Sequence, residues 1–203
     1  MGREQWRPGN MLYPLPAVMV SVADKEGKPN IITVAWAGTV CTNPPMVSIS
    51  VRPERYSYYC IEETGEFVIN LTTKKLTYAT DYCGVRSGRD VDKFANLPEA
   101  RTANGIRFVE GCTNAVLSGK VIETVDCGTH TLFIADVTEA KVLDNVPSVT
   151  YQYYFDHIKP KPEPAQQGKW VCKICGYVYE GDTLPPDFIC PWCKHGVEDF
   201  ERE

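Results

Sequence analysis

Four cysteines near the C-terminal end of the chain constrain its fold more than any other feature. They form two Cys-x-x-Cys pairs, Cys172 with Cys175 and Cys190 with Cys193, separated by the fourteen residues 176–189. Two such pairs bring four thiolates together as a tetrahedral cage for one metal ion. Thiolates at this spacing bind zinc or iron, and the ligands alone do not distinguish the two metals. The pattern predicts a small metal-centred module.

Composition narrows the range of functions. The 203 residues can hold one medium-sized domain and a small appendage. A net charge of −5 without a basic run argues against nucleic acid as a partner. The N-terminus lacks the apolar core of a signal peptide, and no apolar run reaches the roughly 18 residues of a membrane helix. We therefore expect a cytoplasmic protein that does not bind membranes, whose other five cysteines are free thiols.

A proline-rich stretch divides the chain. Residues 159–168 read KPKPEPAQQG, with three prolines at alternate positions and almost nothing to bury. We predict a domain at residues 1–158, a semi-rigid linker at 159–168 and the metal module at 169–203.

The first domain has the sequence pattern of a mainly β protein. Segments rich in Val, Ile, Thr and aromatic residues alternate with Gly, Pro and Asn turn signals. The predicted strands are 15–23, 30–36, 46–52, 66–71, 115–125 and 129–142, and the predicted helices are 55–63 and 74–82. Long strands, tight turns and few helices favour a closed antiparallel barrel over a doubly wound sheet.

The metal module contains several aromatic residues around its cysteines, which favours redox iron over structural zinc. The string WVCKICGYVYEGD, followed by PPDFICPWC and EDF, resembles rubredoxin, and its short central loop is similar to the rubredoxin-like tail of rubrerythrin. The resemblance covers residues 169–201 and implies one iron, cycling between Fe²⁺ and Fe³⁺, held by Cys172, Cys175, Cys190 and Cys193. Gly176 follows the first pair, whereas Lys194 follows the second. We therefore expect an altered second turn.

The first domain carries neither a G-x-G-x-x-G nor a G-x-x-x-x-G-K-[ST] motif. Three other blocks stand out: residues 30–71, which begin NIITVAWAGTVC, then SGRDVDKF at 87–94 and GTHTLFIADV at 128–137. Together they resemble the flavin reductase-like, FMN-binding split-barrel family, over residues 12–155. The resemblance implies an antiparallel Greek-key split β-barrel that binds FMN and forms a homodimer.

The resemblance also implies candidate binding residues. Those near the flavin ring are Thr33, Val34, Ala35 and Trp36; those suited to grip the phosphate are Ser50, Val51, Arg52 and Ser57, with Arg55 a weaker candidate; Lys93 and Phe94 would add a charge and an aromatic ring. His130 would lie near the flavin face where a nicotinamide docks.

The two halves together imply an electron-transfer chain. A flavin accepts two electrons as a hydride and can release them singly, whereas one iron carries one. NADH or NADPH would reduce FMN, which would pass electrons to the iron and then to a redox partner. This domain order resembles the high-molecular-weight rubredoxins of anaerobic bacteria, which implies a flavodiiron-type O₂ or NO reductase as the acceptor.

Three alternatives remain open from the sequence. The chain could be a flavin or ferric reductase whose zinc- or iron-binding tail is accessory and docks a partner. It could instead be a zinc ribbon attached to a barrel that only binds a ligand. It could also be a pure electron carrier, reduced by a separate NADH:rubredoxin reductase.

Overall fold

The structure, a computed structural model, describes residues 12, 14–159, 168–181 and 183–202. The chain divides into two compact units, Met1–Lys159 and Pro160–Glu203. Residues 160–167, most of the predicted linker, lie outside the described residues. Among the described helices, none is long and apolar enough to cross a membrane.

The described part of the first unit is mainly β. Its strands are β1 Val18–Ala23, β2 Pro29–Val34, β3 Ala37–Cys41, β4 Met46–Val51, β5 Glu66–Thr72, β6 Glu99–Arg101, β7 Arg107–Val109, β8 Thr113–Asp126 and β9 Thr131–Val142. Its helices are α1 Tyr56–Thr64, α2 Thr77–Val85 and α3 Tyr151–His157, with a 3₁₀ turn at Lys74–Leu76 before α2. The predicted mainly β class is confirmed.

Seven strands form one antiparallel sheet in the order β2-β1-β5-β8-β9-β4-β3. The strands at its two edges, β2 and β3, follow each other in the chain and are joined only by Ala35 and Trp36. The carbonyl of Trp36 accepts a hydrogen bond of 2.8 Å from the N–H of Ser50. This two-residue corner therefore brings the edges together and curls the sheet into the predicted barrel.

The barrel interior is filled by apolar side chains from β1, β2, β4, β5 and β9 and from α1. Phe67 and Phe133 are among its largest fully buried members. A Cβ atom at Gly119 would lie 2.8 Å from the Phe67 ring and 3.2 Å from the Ala135 Cβ. Glycine at this point of β8, where the pairing with β9 shifts register, lets the backbone approach the aromatic core.

The structure corrects several predicted boundaries. The segment 30–36 is not one strand, because β2 ends at Val34 and a separate strand, β3, follows the corner. β9 begins at Thr131, two residues later than predicted, since Gly128 turns the hairpin with φ 83°. The sequence prediction also lacked β6, β7 and the helix α3.

The second unit is a small three-stranded sheet, ordered β11-β10-β12. The strands are β10 Lys169–Cys172, β11 Val178–Glu180 and β12 Phe200–Arg202, with a 3₁₀ turn at Val197–Asp199. Its core consists of Cys172, Cys190 and Phe200, with further aromatic side chains packed against them. Because so small a core buries little apolar surface, a bound metal would supply much of the stability of this unit.

Candidate functional site

The first candidate site is a cavity of about 280 Å³ in the first unit, called the aromatic cavity here. Its floor is the β2–β3 corner, where Thr33, Val34, Ala35 and Trp36 line it. The carboxyl end of β4 adds Ser50 and Val51, with Arg52 directly after it. His130 directly precedes β9. It reaches the cavity because β9 pairs Thr131 with Val51 of β4, which also lines the cavity.

Helices α2 and α3 form the other walls. The Thr33 hydroxyl donates to the Thr80 carbonyl, which fixes β2 to α2. Tyr151 of α3 packs edge-on against Trp36 with ring centroids 5.8 Å apart. The Tyr154 hydroxyl donates to Asp81 of α2 at 2.8 Å. Burial, together with this hydrogen bond, raises the pKa of Tyr154. The hydroxyl therefore remains a neutral donor at physiological pH.

His130 is the titratable imidazole of this cavity. Burial lowers its pKa, the nearby Arg52 lowers it further, and Glu54 opposes the shift. The Thr129 hydroxyl lies 2.9 Å from Nδ1 of the ring, which leaves Nε2 for a ligand. Arg52 itself forms a 3.6 Å ion pair with Glu54. The largely neutral imidazole offers Nε2 as a hydrogen-bonding atom for a ligand, and the neighbouring guanidinium adds a positive charge that suits an anionic or carbonyl-bearing group.

A second cavity of about 190 Å³, called the basic cavity, adjoins the first and shares Ile32 and Arg55 with it. It is lined by cationic and hydroxyl side chains, which include Arg55, Ser57, Arg86, Ser87, Arg89 and Lys93. A Cβ atom at Gly88 would lie 2.1 Å from Asn30 Oδ1, so only glycine allows the 87–89 backbone to pass there. Concentrated cations, hydroxyls and a closely approaching backbone are the features of a phosphate site.

Lys93 is the most buried cation of the basic cavity, with 6% of its surface exposed. Its ammonium donates to the carbonyls of Ile31 and Cys83, both at 2.9 Å. Burial lowers its pKa to about 8; the Cys83 thiol opposes the shift and Arg55 adds to it. An ammonium has three donors, and two backbone carbonyls leave one for a ligand.

The structure brings most of the predicted flavin-binding residues to these two cavities. The aromatic cavity collects Thr33, Val34, Ala35, Trp36, Ser50, Val51 and Arg52, together with His130. Ser57 and Lys93 line the basic cavity instead, where the Ser57 hydroxyl accepts a 2.8 Å hydrogen bond from Asn30. Phe94 lines neither; it packs in a core cluster with Met19 and Leu76.

Several lining residues were not predicted. Tyr151 and Tyr154 come from α3, and Arg86 and Arg89 come from the chain after α2. The available signals were the run YQYYF at 151–155, the arginine directly before SGRDVDKF and the arginine within it.

The second candidate site is the cysteine cage. The sulfur atoms of Cys172, Cys175, Cys190 and Cys193 lie within 4.8 Å of one another. Two of the separations are 3.6 Å, from Cys172 to Cys193, and 3.5 Å, from Cys175 to Cys190. A metal–sulfur distance of about 2.3 Å in a tetrahedral site requires sulfur separations of about 3.8 Å. The four thiols therefore fit a single tetrahedral metal ion.

The two halves of the cage have matching turns. The N–H of Gly176 donates to the Cys172 carbonyl at 2.8 Å, and the N–H of Lys194 donates to the Cys190 carbonyl at 2.9 Å. The N–H groups of Tyr177 and His195 donate to the sulfurs of Cys175 and Cys193. The expectation of an altered second turn is therefore wrong: Lys194 adopts the same left-handed backbone, with φ 64° against 73° at Gly176.

Two family profiles match the chain. The profile described as "Flavin reductase like domain" covers residues 11–161. The profile described as "Rubrerythrin, rubredoxin-like domain" covers residues 170–201. They divide the sequence into the same two parts as the cavities and the cage.

Individual proteins and solved structures are also similar to this chain. A protein named high molecular weight rubredoxin from Moorella thermoacetica is 29% identical, and the match covers 80% of this chain and 85% of the relative. Flavoredoxin from Methanosarcina acetivorans superimposes with a TM-score of 0.65 at 26% identity, covering 70% of this chain and 76% of its own. Flavoredoxin of Desulfovibrio vulgaris (Miyazaki F) gives a TM-score of 0.64 at 25% identity and covers 90% and 96%.

Proposed function

This chain belongs to the flavin reductase-like family and ends in a rubredoxin-like domain, and we propose that it carries electrons from NAD(P)H through FMN to an Fe(Cys)₄ centre. From the iron the electrons pass to a redox protein. When bound, a flavin accepts a hydride and delivers single electrons, and a thiolate-bound iron carries one electron at a time.

The pair of adjoining cavities is the observation that carries this proposal. A flavin mononucleotide consists of a flat apolar ring and a phosphate dianion at the end of a short chain. The aromatic cavity offers Trp36, Tyr151 and small backbone-exposing residues for the ring. The basic cavity offers Lys93, hydroxyls and guanidinium groups for the phosphate. Because the two cavities share Arg55, one ligand can occupy both.

The residues around the aromatic cavity have distinct roles in this proposal. Trp36 and Tyr151 hold the ring and exclude water from one face. His130, kept largely neutral by burial and Arg52, orients the nicotinamide of the incoming donor through Nε2. The Thr33 hydroxyl donates to the Thr80 carbonyl, so Thr33 contributes shape rather than proton transfer.

The cysteine cage supports iron by its donor set and its surroundings. Four thiolates accept either iron or zinc. Backbone N–H groups directed at Cys175 and Cys193 stabilise negative charge on sulfur and so tune the reduction potential of a bound iron. Aromatic rings of Tyr177, Phe188 and Phe200 pack around the cage and limit water access.

We further propose that the acceptor is a flavodiiron-type protein that reduces O₂ or NO in an anaerobe. None of the nine cysteines forms a disulfide, as expected for a reducing cytoplasm. We also propose a homodimer. Half-exposed apolar side chains on β3 and the distal part of β8, Val40, Ile122 and Val125, support a subunit interface, which analytical ultracentrifugation tests directly.

The deciding experiment is an anaerobic NADH titration of the purified protein, followed across the visible spectrum. Bleaching of both the yellow flavin bands and the red ferric-thiolate bands is the expected result. If the flavin bleaches while the red bands persist, the transfer to iron is wrong. If the metal module is colourless and metal analysis finds zinc, the iron centre is excluded and the accessory docking role is favoured. A Cys193→Ser variant, which lacks one ligand, is the matched control: its flavin should still bleach.

The alternative activities give different results in the same preparation. A flavin reductase turns over free FMN as substrate and releases it, whereas the proposed carrier retains FMN through gel filtration. A pure carrier reduced by a separate enzyme bleaches with chemical reductant but not with NADH.

A further inference from the structure

Arg89 lies between the basic cavity and a third cavity, of about 390 Å³, and lines both. We call the third one the tyrosine cavity, because Tyr56 and Tyr59 line it. The Arg89 side chain is exposed, and it has open space on either side. An arginine in such a place can adopt many rotamers. Its guanidinium stays at the phosphate site only if other groups hold it there.

Two tyrosine rings and one carbonyl hold this guanidinium. Tyr56 and Tyr59 are three residues apart on α1, so their side chains lie on the same side of the helix. The Arg89 guanidinium lies 5.4 Å from the centre of the Tyr56 ring and 5.2 Å from that of the Tyr59 ring. It also donates a 3.2 Å hydrogen bond to the Glu54 carbonyl. Aromatic faces attract a planar cation, so the three contacts together define one position for it.

The two tyrosines differ in how firmly they are tied to the rest of the domain. The Tyr56 hydroxyl donates to Asp24 at 3.3 Å, and the Tyr56 ring packs against the barrel core. Tyr59 has 47% of its surface exposed, and its ring contacts that of Tyr58 edge-on at 5.7 Å. Tyr59 therefore adds little to the core, and it can be replaced without disturbing the barrel.

We propose that Tyr56 and Tyr59 are positioning residues that hold the Arg89 guanidinium at the basic cavity and so slow the release of FMN. This inference rests on the proposed flavin site. A guanidinium forms charge-assisted hydrogen bonds with a phosphate, and holding it in advance removes the entropic cost of ordering it on binding. Tyr59 lines the tyrosine cavity but not the basic cavity. It therefore acts through Arg89 and not by contact with the phosphate.

The rate of FMN release tests this role. FMN-loaded full-length protein is diluted, and the recovery of flavin fluorescence gives the dissociation rate. Riboflavin, which lacks the phosphate, is measured in the same way. We expect Tyr59→Leu to release FMN about two- to fivefold faster, the effect of one exposed cation–π contact, and to release riboflavin at an unchanged rate. Tyr59→Phe keeps the aromatic ring and should release FMN as slowly as the unsubstituted protein.

Tyr78→Leu is the matched control. Tyr78 is an 80% exposed tyrosine on α2 that lines none of the three cavities described here. Like Tyr59, it contacts one neighbouring tyrosine, Tyr82, with ring centroids 6.1 Å apart. Its replacement therefore removes a comparable exposed ring and should leave FMN release unchanged. Thermal unfolding verifies that all variants are folded.

A double-mutant cycle separates positioning from a general structural effect. Arg89→Ala alone should release FMN about tenfold faster, because charge-assisted hydrogen bonds to the phosphate are lost. In the Arg89→Ala background, Tyr59→Leu should cause no further change, since no guanidinium is left to hold.

Each other outcome has a definite meaning. If Tyr59→Leu quickens release equally with and without Arg89, or affects riboflavin as much as FMN, the positioning role is wrong. The same conclusion follows if Tyr59→Leu behaves like Tyr78→Leu, or if Arg89→Ala retains FMN as well as the unsubstituted protein; in both cases the flavin site stands. If the unsubstituted protein binds no FMN, the proposed function fails and this inference fails with it.

Discussion

Lys93 shows how much one residue can reveal about a site. A cation this deeply buried is unfavourable unless a partner compensates it, and within the described part of the chain no carboxylate forms an ion pair with it. Its ammonium is surrounded by two backbone carbonyls, to which it donates, and by an adjoining cavity that is lined by arginines. The sequence pointed to Lys93 only through the DVDKF run, since burial cannot be read from a single charged residue.

The pKa of about 8 predicts a pH-dependent affinity for FMN. As the pH rises through 8 the ammonium loses its proton and its attraction for the phosphate dianion. We expect FMN affinity to fall by about tenfold between about pH 7 and pH 9. Fluorescence titration measures this, and riboflavin, which lacks the phosphate, should show no such dependence.

The lowered pKa of Lys93 has the opposite consequence for the folding stability of flavin-free protein, which increases with pH. The folded pKa lies below the ordinary value of 10.5, so above pH 8 the unfolded chain binds more protons at Lys93 than the folded chain does. The contribution of Lys93 to folding stability therefore rises from pH 8 towards 10.5. Lys93→Met removes both effects, and an FMN affinity of Lys93→Met that still fell with pH would contradict this role.

Lys194 and Gly176 form a natural pair for measuring backbone strain. Both adopt left-handed φ values at equivalent turns of the cage, but only glycine does so without cost. We expect Lys194→Gly to stabilise the metal-loaded protein by about 1 kcal/mol and Gly176→Ala to destabilise it by about the same amount. Rates of metal loss to a chelator report the difference, and equal rates in both variants would show that the turns are not strained.

Among the elements, α3 is a wall of the aromatic cavity that the sequence did not predict. None of its residues is fully buried, so it lacks the strong apolar face from which helices are recognised in a sequence. The strands were easier to predict, since β1, β4 and β5 carry β-branched and aromatic residues with extensive burial. The β2–β3 corner was missed because residues 30–41 form one unbroken apolar-rich run.

Docking of α3 can be tested at Tyr154. Tyr154→Phe removes the hydroxyl that donates to Asp81 and should cost about 1–2 kcal/mol of stability. Because α3 walls the aromatic cavity, we also expect FMN affinity to fall several-fold. Tyr153→Phe is the control on the same helix, since it keeps the ring contacts with His157 and Lys74. Equal FMN affinity in the two variants would remove α3 from the site.

For the whole molecule, the sequence predicted two domains with different chemistry, because the cysteine spacing and the proline-rich stretch are local signals. It did not predict that the aromatic cavity and the basic cavity adjoin. Each takes residues from elements distant in the chain, such as Asn30, Ser57 and Lys93 in the basic cavity. Their juxtaposition depends on sheet order, which no local pattern specifies.

The charge of the metal module predicts the salt dependence of electron delivery. Residues 169–203 contain four Lys and Arg and seven Asp and Glu, a net charge of −3 before the thiolates are counted. Electron transfer to a cationic acceptor, hexaammineruthenium, should slow several-fold as salt is raised, because screening weakens the attraction. Transfer to the anion ferricyanide should quicken. The same trend with both acceptors would show that the module charge does not steer them.

Helix α3 ends at His157, and the chain leaves the first unit two residues later, at Lys159. The wall of the aromatic cavity and the last residues before the predicted linker are thus one piece of backbone. A fusion that joins a different electron carrier to this barrel should therefore keep the chain through Lys159. A splice after the last strand, at Val142, would remove Tyr151 and Tyr154 and open the cavity to solvent.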